Sequence, residues 1–150
     1  MELILWRHAD AENGSHDRER SLTEKGIKQA ARMAKWLRAR LPENAVVLAS
    51  PAKRAQQTAR ALASDYKTVM EIGTSASAKD VLLACGWPGD ERTVVVVGHQ
   101  PTLGEVAAQL LGCGDYSLSI KKGALWWFSS REREGSTQVT LRLAITPDLL

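Results

Sequence analysis

The hydrophobic positions of this 150-residue chain form short apolar runs of strand length, separated by longer stretches in which apolar residues recur at helical spacing. The run at 93–97 consists of one threonine and four valines, and a continuous β-branched run is typical of a strand buried on both faces. The pattern predicts strands at residues 2–6, 45–49, 93–97, 124–129 and 138–144, with a short edge strand at 67–72 and a charged loop at 130–136.

Four amphipathic stretches predict helices between these strands. The first begins after Thr23 and ends before Pro42, because proline disfavours helix in the residue that precedes it. Ser50 is expected to cap the second helix, with Pro51 in its first position, and shorter helices are predicted at 78–84 and 101–111. The stripes expected to face the core are Ile27, Ala30, Ala31, Ala34 and Leu37 in the first helix, and Ala55, Thr58, Ala59 and Leu62 in the second.

Strands and helices alternate along most of the chain, which is the pattern of an α/β protein. Parallel strands joined by helical crossovers give a sheet that is covered on both faces. We therefore expect a three-layer α/β/α sandwich with a mostly parallel sheet and an antiparallel edge strand from the terminal hairpin. The length fits one domain, residues 1–150, and no repeat or linker divides it.

Composition places the chain among globular proteins, since 44% of its residues are hydrophobic and 25% are charged. No apolar run approaches the roughly 20 residues that a bilayer span requires, and the amino terminus lacks the regions of a signal peptide. Cys85 and Cys113 form neither a CxxC pair nor a disulfide-rich pattern, which favours reduced, buried thiols. These features predict a cytoplasmic location without a membrane partner.

The net charge of +3 and the pI of about 9.0 mildly favour anionic partners. The charged runs at 18–20 and 131–134 alternate in sign, however, which is typical of solvated surface. The sequence contains no zinc-knuckle spacing, no aromatic RNA-binding run and no basic block. No nucleic-acid partner is expected.

Chemically active residues follow three of the predicted strands. Arg7 and His8 end the first strand, Ser50 ends the second with Arg54 one turn into the following helix, and His99 follows the third. Ligands of open α/β sheets bind beyond the carboxyl ends of the strands, so these side chains are expected at one end of the sheet. Each alone has an ordinary explanation as a surface or capping residue, and it is their convergence that indicates a functional site.

The residue types at these strand ends suit a phosphate group. Arg7 and Arg54 offer planar bidentate donors for phosphate oxygens, and the helix that starts near Pro51 adds main-chain donors. The two imidazoles can have two different catalytic roles. A neutral ring can attack phosphorus, and a protonated ring can stabilise charge on the non-bridging oxygens. The residues alone leave open which of His8 and His99 has which role.

Several segments resemble the motifs of the histidine phosphatase superfamily, which has the phosphoglycerate-mutase-like fold. Residues 7–9 resemble its Arg-His-Gly, residues 22–26 its Leu-Thr-x-x-Gly, residues 50–58 its Ser-Pro-x-x-Arg-x-x-x-Thr, and residues 97–101 its distal-histidine turn. The resemblance covers residues 2 to about 112. It implies that His8 is the catalytic nucleophile, that Arg7, Arg54 and His99 bind phosphate and assist catalysis, and that His99 is the distal histidine.

Within the superfamily, the chain resembles the short bacterial SixA-type phosphohistidine phosphatases in its length, in Asp10 after the first motif, and in Asp17 and Arg20 before the Leu-Thr element. This resemblance implies a metal-independent phosphatase without a cofactor that forms a phosphohistidine intermediate. The implied substrate is phosphohistidine on a signalling or phosphotransfer protein. Only 45 positions separate Arg54 from His99, which leaves no room for the large lid of mutases and sugar-phosphate phosphatases. The chain departs from the family pattern at Ala9, where glycine is usual, and at Ser21, where proline is common.

The proton donor is not identified by these motifs. Asp17 and Asp10 lie in the loop that follows the first motif and can reach the pocket. Asp80 and Glu105 are weaker candidates because carboxylates on helix faces are usually solvated, and a site without a dedicated acid is the remaining option. His16 is expected on the exposed loop.

Three other functions are alternatives. A metallohydrolase needs histidine spacings that the chain lacks, and its cation would be repelled by the two arginines. A non-catalytic phosphate- or phosphoprotein-binding module would use the arginines but not the paired histidines. A small-molecule phosphomonoesterase of the same superfamily would share the whole site.

Overall fold

The computed structural model of the protein describes all 150 residues and contains every predicted helix and strand, with changes at some boundaries. The strands are β1 (Glu2–Arg7), β2 (Val46–Ala49), β3 (Lys67–Thr68), β4 (Thr93–Gly98), β5 (Leu125–Arg133) and β6 (Ser136–Ile145). The helices are α1 (Glu24–Arg38), α2 (Lys53–Leu62), α3 (Ala78–Ala84) and α4 (Thr102–Leu111). Short 3₁₀ turns occupy Asp17–Glu19, Met70–Ile72 and Pro147–Leu149.

The strands form one sheet in the order β3-β2-β4-β1-β5-β6. β3, β2, β4 and β1 are parallel, and β5 pairs antiparallel with β1 and with β6. Arg7 at the end of β1 lies opposite Gly98 at the end of β4. The predicted α/β class with a mostly parallel sheet is confirmed, and its antiparallel edge is a hairpin of two strands.

Side chains of β1 alternate between the two faces of the sheet and show why helices cover both of them. Leu3 and Leu5 pack in a cluster with residues of α3 and α4, whereas Ile4 and Trp6 pack with residues of α1 and α2. All four side chains are fully buried. The sheet is therefore the middle of three layers, as predicted, with one pair of helices on each face.

The core-facing stripe of α1 is rotated relative to the predicted one. Its buried residues are Gly26, Ala30, Met33, Ala34 and Leu37, whereas Ile27 is 55% exposed and Ala31 is exposed. Gly26 explains the rotation, because a Cβ atom at this position would collide with the carbonyl oxygen of Asp10. The helix turns its glycine toward the loop after β1, and this close approach places that loop against the helix.

Helix α2 begins two residues later than predicted, at Lys53, and Ala52 occupies the N-cap position without a side-chain hydrogen bond. The prediction that Ser50 caps this helix is therefore wrong. The Ser50 hydroxyl accepts a hydrogen bond from the Ala52 N–H at 3.2 Å and lies 2.7 Å from Nε2 of His99. The chain continues for two further residues before it becomes helical, so Ser50 lies too far from the helix to cap it. Its hydroxyl instead contacts His99, which follows the neighbouring strand β4.

Two boundaries near the sheet edges also differ from the predicted ones. The edge strand β3 has only two residues, because the chain then enters a 3₁₀ turn that buries Ile72. The predicted loop at 130–136 is mostly strand, and the turn consists of Glu134 and Gly135, which both have positive φ. Its charged residues resemble a loop in sequence because this end of the hairpin is exposed to solvent.

None of the helices has both the length and the apolar character that crossing a membrane would require. Both cysteines are unpaired, but only Cys85 is buried as predicted. Cys113 is partly exposed because it follows Gly112, the residue that ends α4 in a left-handed conformation.

Candidate active site

Adjacent strand ends bring the four principal residues together at the carboxyl end of the parallel sheet. Arg7 is the last residue of β1 and His8 follows it, His99 follows β4, and Arg54 lies in the first turn of α2 after β2. All four line one pocket with a volume of about 310 Å³. The other lining residues are Ala11, Asp17, Arg20, Thr74, Gln100 and Lys122.

His8 is only 6% exposed, and the backbone fixes the orientation of its ring. Its Nδ1 lies 2.8 Å from the carbonyl oxygen of Ala9, which can only accept a hydrogen bond. We therefore assign the ring proton to Nδ1, which leaves Nε2 unprotonated, with a lone pair that accepts a hydrogen bond from Arg54 at 3.3 Å. Thr58 anchors this turn, since its Oγ1 accepts the Ala9 N–H at 3.1 Å and donates to the Arg54 carbonyl at 2.8 Å. Ala9 has no positive φ, so alanine fits where the family usually has glycine.

The surroundings of His8 keep its ring neutral. Burial is the main cause that lowers the pKa of His8 to about 3, and the hydrogen bond to Ala9 opposes this effect. Repulsion from His99 in its protonated form, from Arg54 and from Arg7 lowers the pKa further. Near pH 7 the imidazole is thus uncharged and its Nε2 carries no proton, which is the state that a nucleophile needs.

His99 is oriented by Ser50 at the end of β2. The Ser50 oxygen already accepts the Ala52 N–H, so its own proton can be donated to Nε2 of His99 over 2.7 Å. The ring proton then lies on Nδ1, a buried nitrogen that has no partner in the protein. The rings of His99 and His8 are 5.2 Å apart between centroids.

The second imidazole is not protonated in the empty site. Burial, and then the charge of Arg54, lower the pKa of His99 to about 4, although the carboxylate of Asp17 raises it in part. His99 is therefore neutral near pH 7 in the absence of a ligand. It can still bind an anion as a hydrogen-bond donor through Nδ1–H.

Both arginines direct guanidinium nitrogens toward the site. Arg54 is 4% exposed; it donates from Nε to Nε2 of His8 at 3.3 Å and from Nη1 and Nη2 to the main-chain and side-chain oxygens of Asp17 at 2.7 and 3.2 Å. Arg7 donates from Nη1 to the carbonyl oxygen of Ile120 at 3.0 Å. Burial and the nearby Arg54 lower the pKa of Arg7, yet a guanidinium group stays charged in proteins.

Two buried donors without a partner indicate that an anion fits this pocket. They are Nε of Arg7 and Nδ1 of His99, and both belong to side chains that line it. Buried polar groups are nearly always hydrogen-bonded, so such a pair requires an explanation. A phosphoryl group supplies acceptor oxygens for both donors and balances the positive charge of the arginines.

Asp17 is the one carboxylate that lines the pocket. Its side chain is 56% exposed and pairs with Arg20 at 3.0 Å and with Arg54 at 3.2 Å. Partial burial raises the pKa of Asp17, but the hydrogen bonds from Arg20 and Arg54 outweigh this effect and hold it below its ordinary value. Asp17 is thus placed to exchange a proton with a ligand, and it is ionised while the pocket is empty.

The other candidate acids lie outside the pocket lining. Asp10 accepts hydrogen bonds from Thr23 at 2.8 Å and from Lys122 at 3.1 Å, and these interactions lower its pKa. Asp80 forms a capping box with Ser77 at the start of α3, and Glu105 is exposed on α4. His16 is exposed on the loop after β1, as expected.

Lys122 and Gln100 line the pocket although neither was among the predicted site residues, and only Gln100 belongs to a recognised motif, the distal-histidine turn. β5 is antiparallel to β1, so the loop before β5 lies beside the end of β1, and the Gly123 N–H donates to the His8 carbonyl at 3.1 Å. Gln100 donates from Nε2 to Leu118 at 2.8 Å and accepts the Gly104 N–H at 3.1 Å. Two features of the sequence could have predicted these residues. An antiparallel β5 beside β1 would place Lys122 near the end of β1, and Gln100 directly follows His99.

The pocket side chains are better suited to an anion than to a cation, since guanidinium groups stand beside both imidazoles. No three His, Cys, Asp or Glu side chains in the chain come together as ligands for a metal ion. The chemistry that this arrangement supports is attack by a neutral imidazole on an anion held by arginine.

Comparison with known proteins adds evidence that is independent of this geometry. Residues 3–77 match the family described as "Histidine phosphatase superfamily (branch 1)". The matched segment includes Arg7, His8 and Arg54 and ends before His99.

Similar proteins extend the match beyond this segment. An uncharacterized protein of Mycobacterium tuberculosis is 36% identical over 108 residues, which cover 69% of this chain and 68% of that protein. Phosphohistidine phosphatase SixA of Escherichia coli is 29% identical over 123 residues, which cover 73% and 74% of the two chains. A solved structure of the protein histidine phosphatase SixA complexed with tungstate aligns with a TM-score of 0.82 over 99% of both chains at 25% identity.

Proposed function

The chain belongs to the histidine phosphatase superfamily and is of the SixA type, and from this premise we propose that it hydrolyses phosphohistidine on a partner protein through a covalent intermediate on His8. The resemblance predicted from the motifs is confirmed, and membership of this family supports phosphatase activity. The proposal adds the substrate and the mechanism. The observation that carries it is the unprotonated Nε2 of His8 beside Arg54 in a pocket built for an anion.

In the first step, Nε2 of His8 attacks phosphorus in line with the bond to the leaving group. The new bond joins Nε2 to phosphorus, and the P–N bond of the substrate breaks with its electron pair moving to the substrate imidazole. This ring departs as neutral imidazole, because it already carries a proton on its other nitrogen or takes one from Asp17. The proton on Nδ1 of His8 stays hydrogen-bonded to Ala9, which stabilises the positive ring of the phosphoenzyme. Arg7, Arg54 and Nδ1–H of His99 hold the phosphoryl oxygens as charge builds up on them.

In the second step, a water molecule attacks phosphorus from the side that the substrate imidazole has left. The bond between phosphorus and Nε2 breaks, and its electron pair returns to Nε2, which restores the neutral ring of His8. One proton of the water passes to the Asp17 carboxylate or stays on the departing phosphate. Neither step oxidises or reduces any atom, so the substrate, the protein residues and water are the only reactants needed.

The geometry favours Asp17 as the proton donor, because its side chain lines the pocket. Asp10 does not line the pocket, and its carboxylate is hydrogen-bonded to Thr23 and Lys122. In the empty site the guanidinium of Arg54 helps to lower the pKa of Asp17. A phosphoryl group competes for Arg54 and adds negative charge, and both changes raise the pKa of a carboxylate. A departing imidazole needs less help from an acid than an alkoxide does, so this single exposed carboxylate is sufficient.

The open form of the pocket supports a protein substrate. The segment between Arg54 and His99 is used for the rest of α2, the short β3, a 3₁₀ turn and α3, so no large lid encloses a ligand. Binding sites for small molecules commonly bury roughly 70–90% of the ligand surface, and no element between Arg54 and His99 is left to close this pocket of about 310 Å³ around a whole metabolite. A histidine that projects from another protein needs only its phosphoryl group to be surrounded. We further expect a cytoplasmic location, where histidine phosphotransfer proteins are accessible.

Trapping of the intermediate tests the mechanism. Acid-labile, base-stable label should be found on the wild-type protein when the reaction with a labelled phosphohistidine peptide is quenched, and it should be absent from His8→Ala. Activity should persist in EDTA. His16→Ala is the matched control, since this exposed histidine lies outside the pocket. Label on an aspartate or a serine, or loss of activity in EDTA, would show that the mechanism is wrong.

A competition experiment tests the substrate. The protein should have a higher kcat/KM for a phosphohistidine protein than for phosphoserine, sugar phosphates or phosphoglycerates. Should any small phosphomonoester be preferred by about tenfold, equivalent to about 1.4 kcal/mol, the small-molecule alternative replaces the protein substrate. Binding of phosphate without any turnover would instead support the non-catalytic module.

A further inference from the structure

A second and larger groove adjoins the catalytic pocket and runs along α1. Its volume is about 1180 Å³, and it shares Arg7 and Lys122 with the pocket. Its cationic lining residues are Arg7, Lys25, Lys28, Arg32, Lys121 and Lys122. The sequence shows no basic block because these cations come from separate segments, and only the fold brings them together.

Most of this positive charge is not neutralised within the protein. Lys25, Lys28 and Lys121 are exposed and take part in none of the ion pairs of the structure. Arg32 donates to the carbonyl oxygen of Pro147 at 3.3 Å, which leaves its charge unpaired. Lys122 does pair with Asp10, as described above.

The carboxylates of the groove do not cancel the cations. They are Asp10, Glu24 and Asp148, and Asp10 is already occupied by Thr23 and Lys122. The groove therefore keeps a net positive charge. It also contains no large apolar side chain, so its binding energy must come from polar and charged groups.

The cations on α1 form a stripe that leads toward the site. Lys25, Lys28 and Arg32 are spaced at i, i+3 and i+7, which places them on one side of the helix. Lys25 and Arg32 are seven residues apart, a rise of about 10 Å along the axis. This length matches a short segment of a partner that carries two or three carboxylates, and it is short for a nucleic-acid backbone.

We infer that this groove binds an acidic surface of the protein that carries the phosphohistidine. The inference rests on the proposed function: the phosphoryl group enters the catalytic pocket while neighbouring carboxylates of the same partner lie along α1. Arg7 and Lys122 line both cavities, so one bound molecule can occupy both. Complementary charge of this kind speeds association and selects partners without taking part in the chemical steps.

Matched peptides and charge reversals test the inference. Two peptides with one histidine each, flanked by aspartates in one and by asparagines in the other, are phosphorylated on the histidine with phosphoramidate. The wild-type protein should hydrolyse the aspartate peptide with a kcat/KM about tenfold higher at low salt, and added salt should reduce this preference. The double variant Lys25→Glu/Lys28→Glu should lose it.

Two controls separate docking from catalysis and folding. Lys35→Glu/Lys67→Glu changes the net charge equally but lies outside the groove, and it should keep the preference. Hydrolysis of p-nitrophenyl phosphate, which does not reach the stripe on α1, should stay within about twofold in both double variants if they are folded.

Each other outcome has a definite meaning. Equal hydrolysis of the two peptides by wild type, or an unchanged preference in Lys25→Glu/Lys28→Glu, would overturn the docking inference and leave the proposed function intact. Hydrolysis of p-nitrophenyl phosphate without hydrolysis of either peptide would overturn both. Binding of an RNA oligonucleotide or of anionic phosphatidylglycerol vesicles more tightly than the aspartate peptide, lost in the same variant, would assign the groove to a different polyanion and overturn the inference.

Discussion

The Ser50 hydroxyl lies 2.7 Å from Nε2 of His99, and both residues are almost completely buried. The contact joins the ends of β2 and β4, which are parallel neighbours in the sheet. Since Ser50 occupies Nε2, the other ring nitrogen is the one left to bind a ligand. Ser50, which follows a different strand, therefore determines that His99 presents Nδ1–H to the ligand.

Replacement of Ser50 by alanine should lower kcat by an amount on the order of tenfold to hundredfold, because His99 loses the partner that fixes its tautomer and position. The KM for p-nitrophenyl phosphate should change much less. The ¹⁵N chemical shifts of Nδ1 and Nε2 of His99 test the positioning role directly. They should show a proton on Nδ1 in wild type and a mixture of both tautomers in Ser50→Ala.

Ser77→Ala is the matched control for this substitution. The Ser77 hydroxyl also accepts a backbone hydrogen bond, from the Asp80 N–H, but Ser77 caps α3 and does not line the pocket. Its loss should cost about 1 kcal/mol of folding free energy and leave kcat unchanged. An unaltered His99 spectrum together with an unaltered kcat in Ser50→Ala would contradict the positioning role.

Arg54→Lys should reduce turnover by roughly 10²- to 10³-fold although the positive charge is kept. The arginine uses three nitrogens at once, toward His8 and toward two oxygens of Asp17, and an ammonium group cannot reproduce this planar arrangement. Steady-state kinetics with p-nitrophenyl phosphate measure the effect. Arg60→Lys on the same helix is the control, since Arg60 is exposed and bonds only Tyr66. A comparable rate in the two variants would remove Arg54 from the site.

Asp17→Asn should slow phosphomonoesters with poor leaving groups more than those with good ones. If Asp17 supplies the proton, loss of it costs phenyl phosphate on the order of 10²-fold and p-nitrophenyl phosphate much less, because nitrophenolate departs without protonation. A series of substituted phenyl phosphates measures this dependence as the slope of log kcat/KM against leaving-group pKa, because kcat/KM reports the step in which the leaving group departs. Asp65→Asn, an exposed carboxylate away from the pocket, should leave the slope unchanged. An equal slope in Asp17→Asn and wild type would show that no dedicated acid acts here.

The elements that could be predicted from sequence are those whose pattern reflects burial alone. The valine run of β4 and the short apolar run of β1 identified central strands because nothing but apolar packing determines them. The stripe of α1 could not be predicted in the same way, since a backbone contact between Gly26 and Asp10 rotates the helix. Close approach of two backbones leaves no hydrophobic signature in the residues that surround it.

The positions of the main site residues could be predicted from sequence, but the details of their hydrogen bonding could not. His8, Arg54 and His99 follow strands, so topology alone predicts that they meet. The tautomer of His99 could not be predicted, because it depends on Ser50, whose local sequence looks like a helix cap. The basic groove was not predicted because its cations lie in three separate segments, and only the antiparallel direction of β5 brings Lys122 beside α1 and the pocket.

The buried histidines should make the protein sensitive to acid. The pKa of His8 is lowered to about 3 and that of His99 to about 4, mainly by burial, whereas an unfolded chain has a histidine pKa near 6.5. The unfolded state therefore binds more protons below about pH 6.5, and the stability from keeping both rings neutral is present above that value and lost as the pH falls toward the folded pKa values. The free energy of unfolding should fall by a few kcal/mol over this range.

Urea denaturation at several pH values between about 5 and 7 measures this dependence while most carboxylates remain ionised. The slope should be smaller in His8→Asn and in His99→Asn, and smallest in the double variant, because each substitution removes one group that binds a proton only after unfolding. His16→Asn should keep the slope of wild type, since His16 is exposed. Bound phosphate should reduce the sensitivity to acid, because an anion beside the rings favours their protonated forms in the folded protein. A slope that is the same in the double variant and in wild type would mean that the two rings do not limit stability in acid.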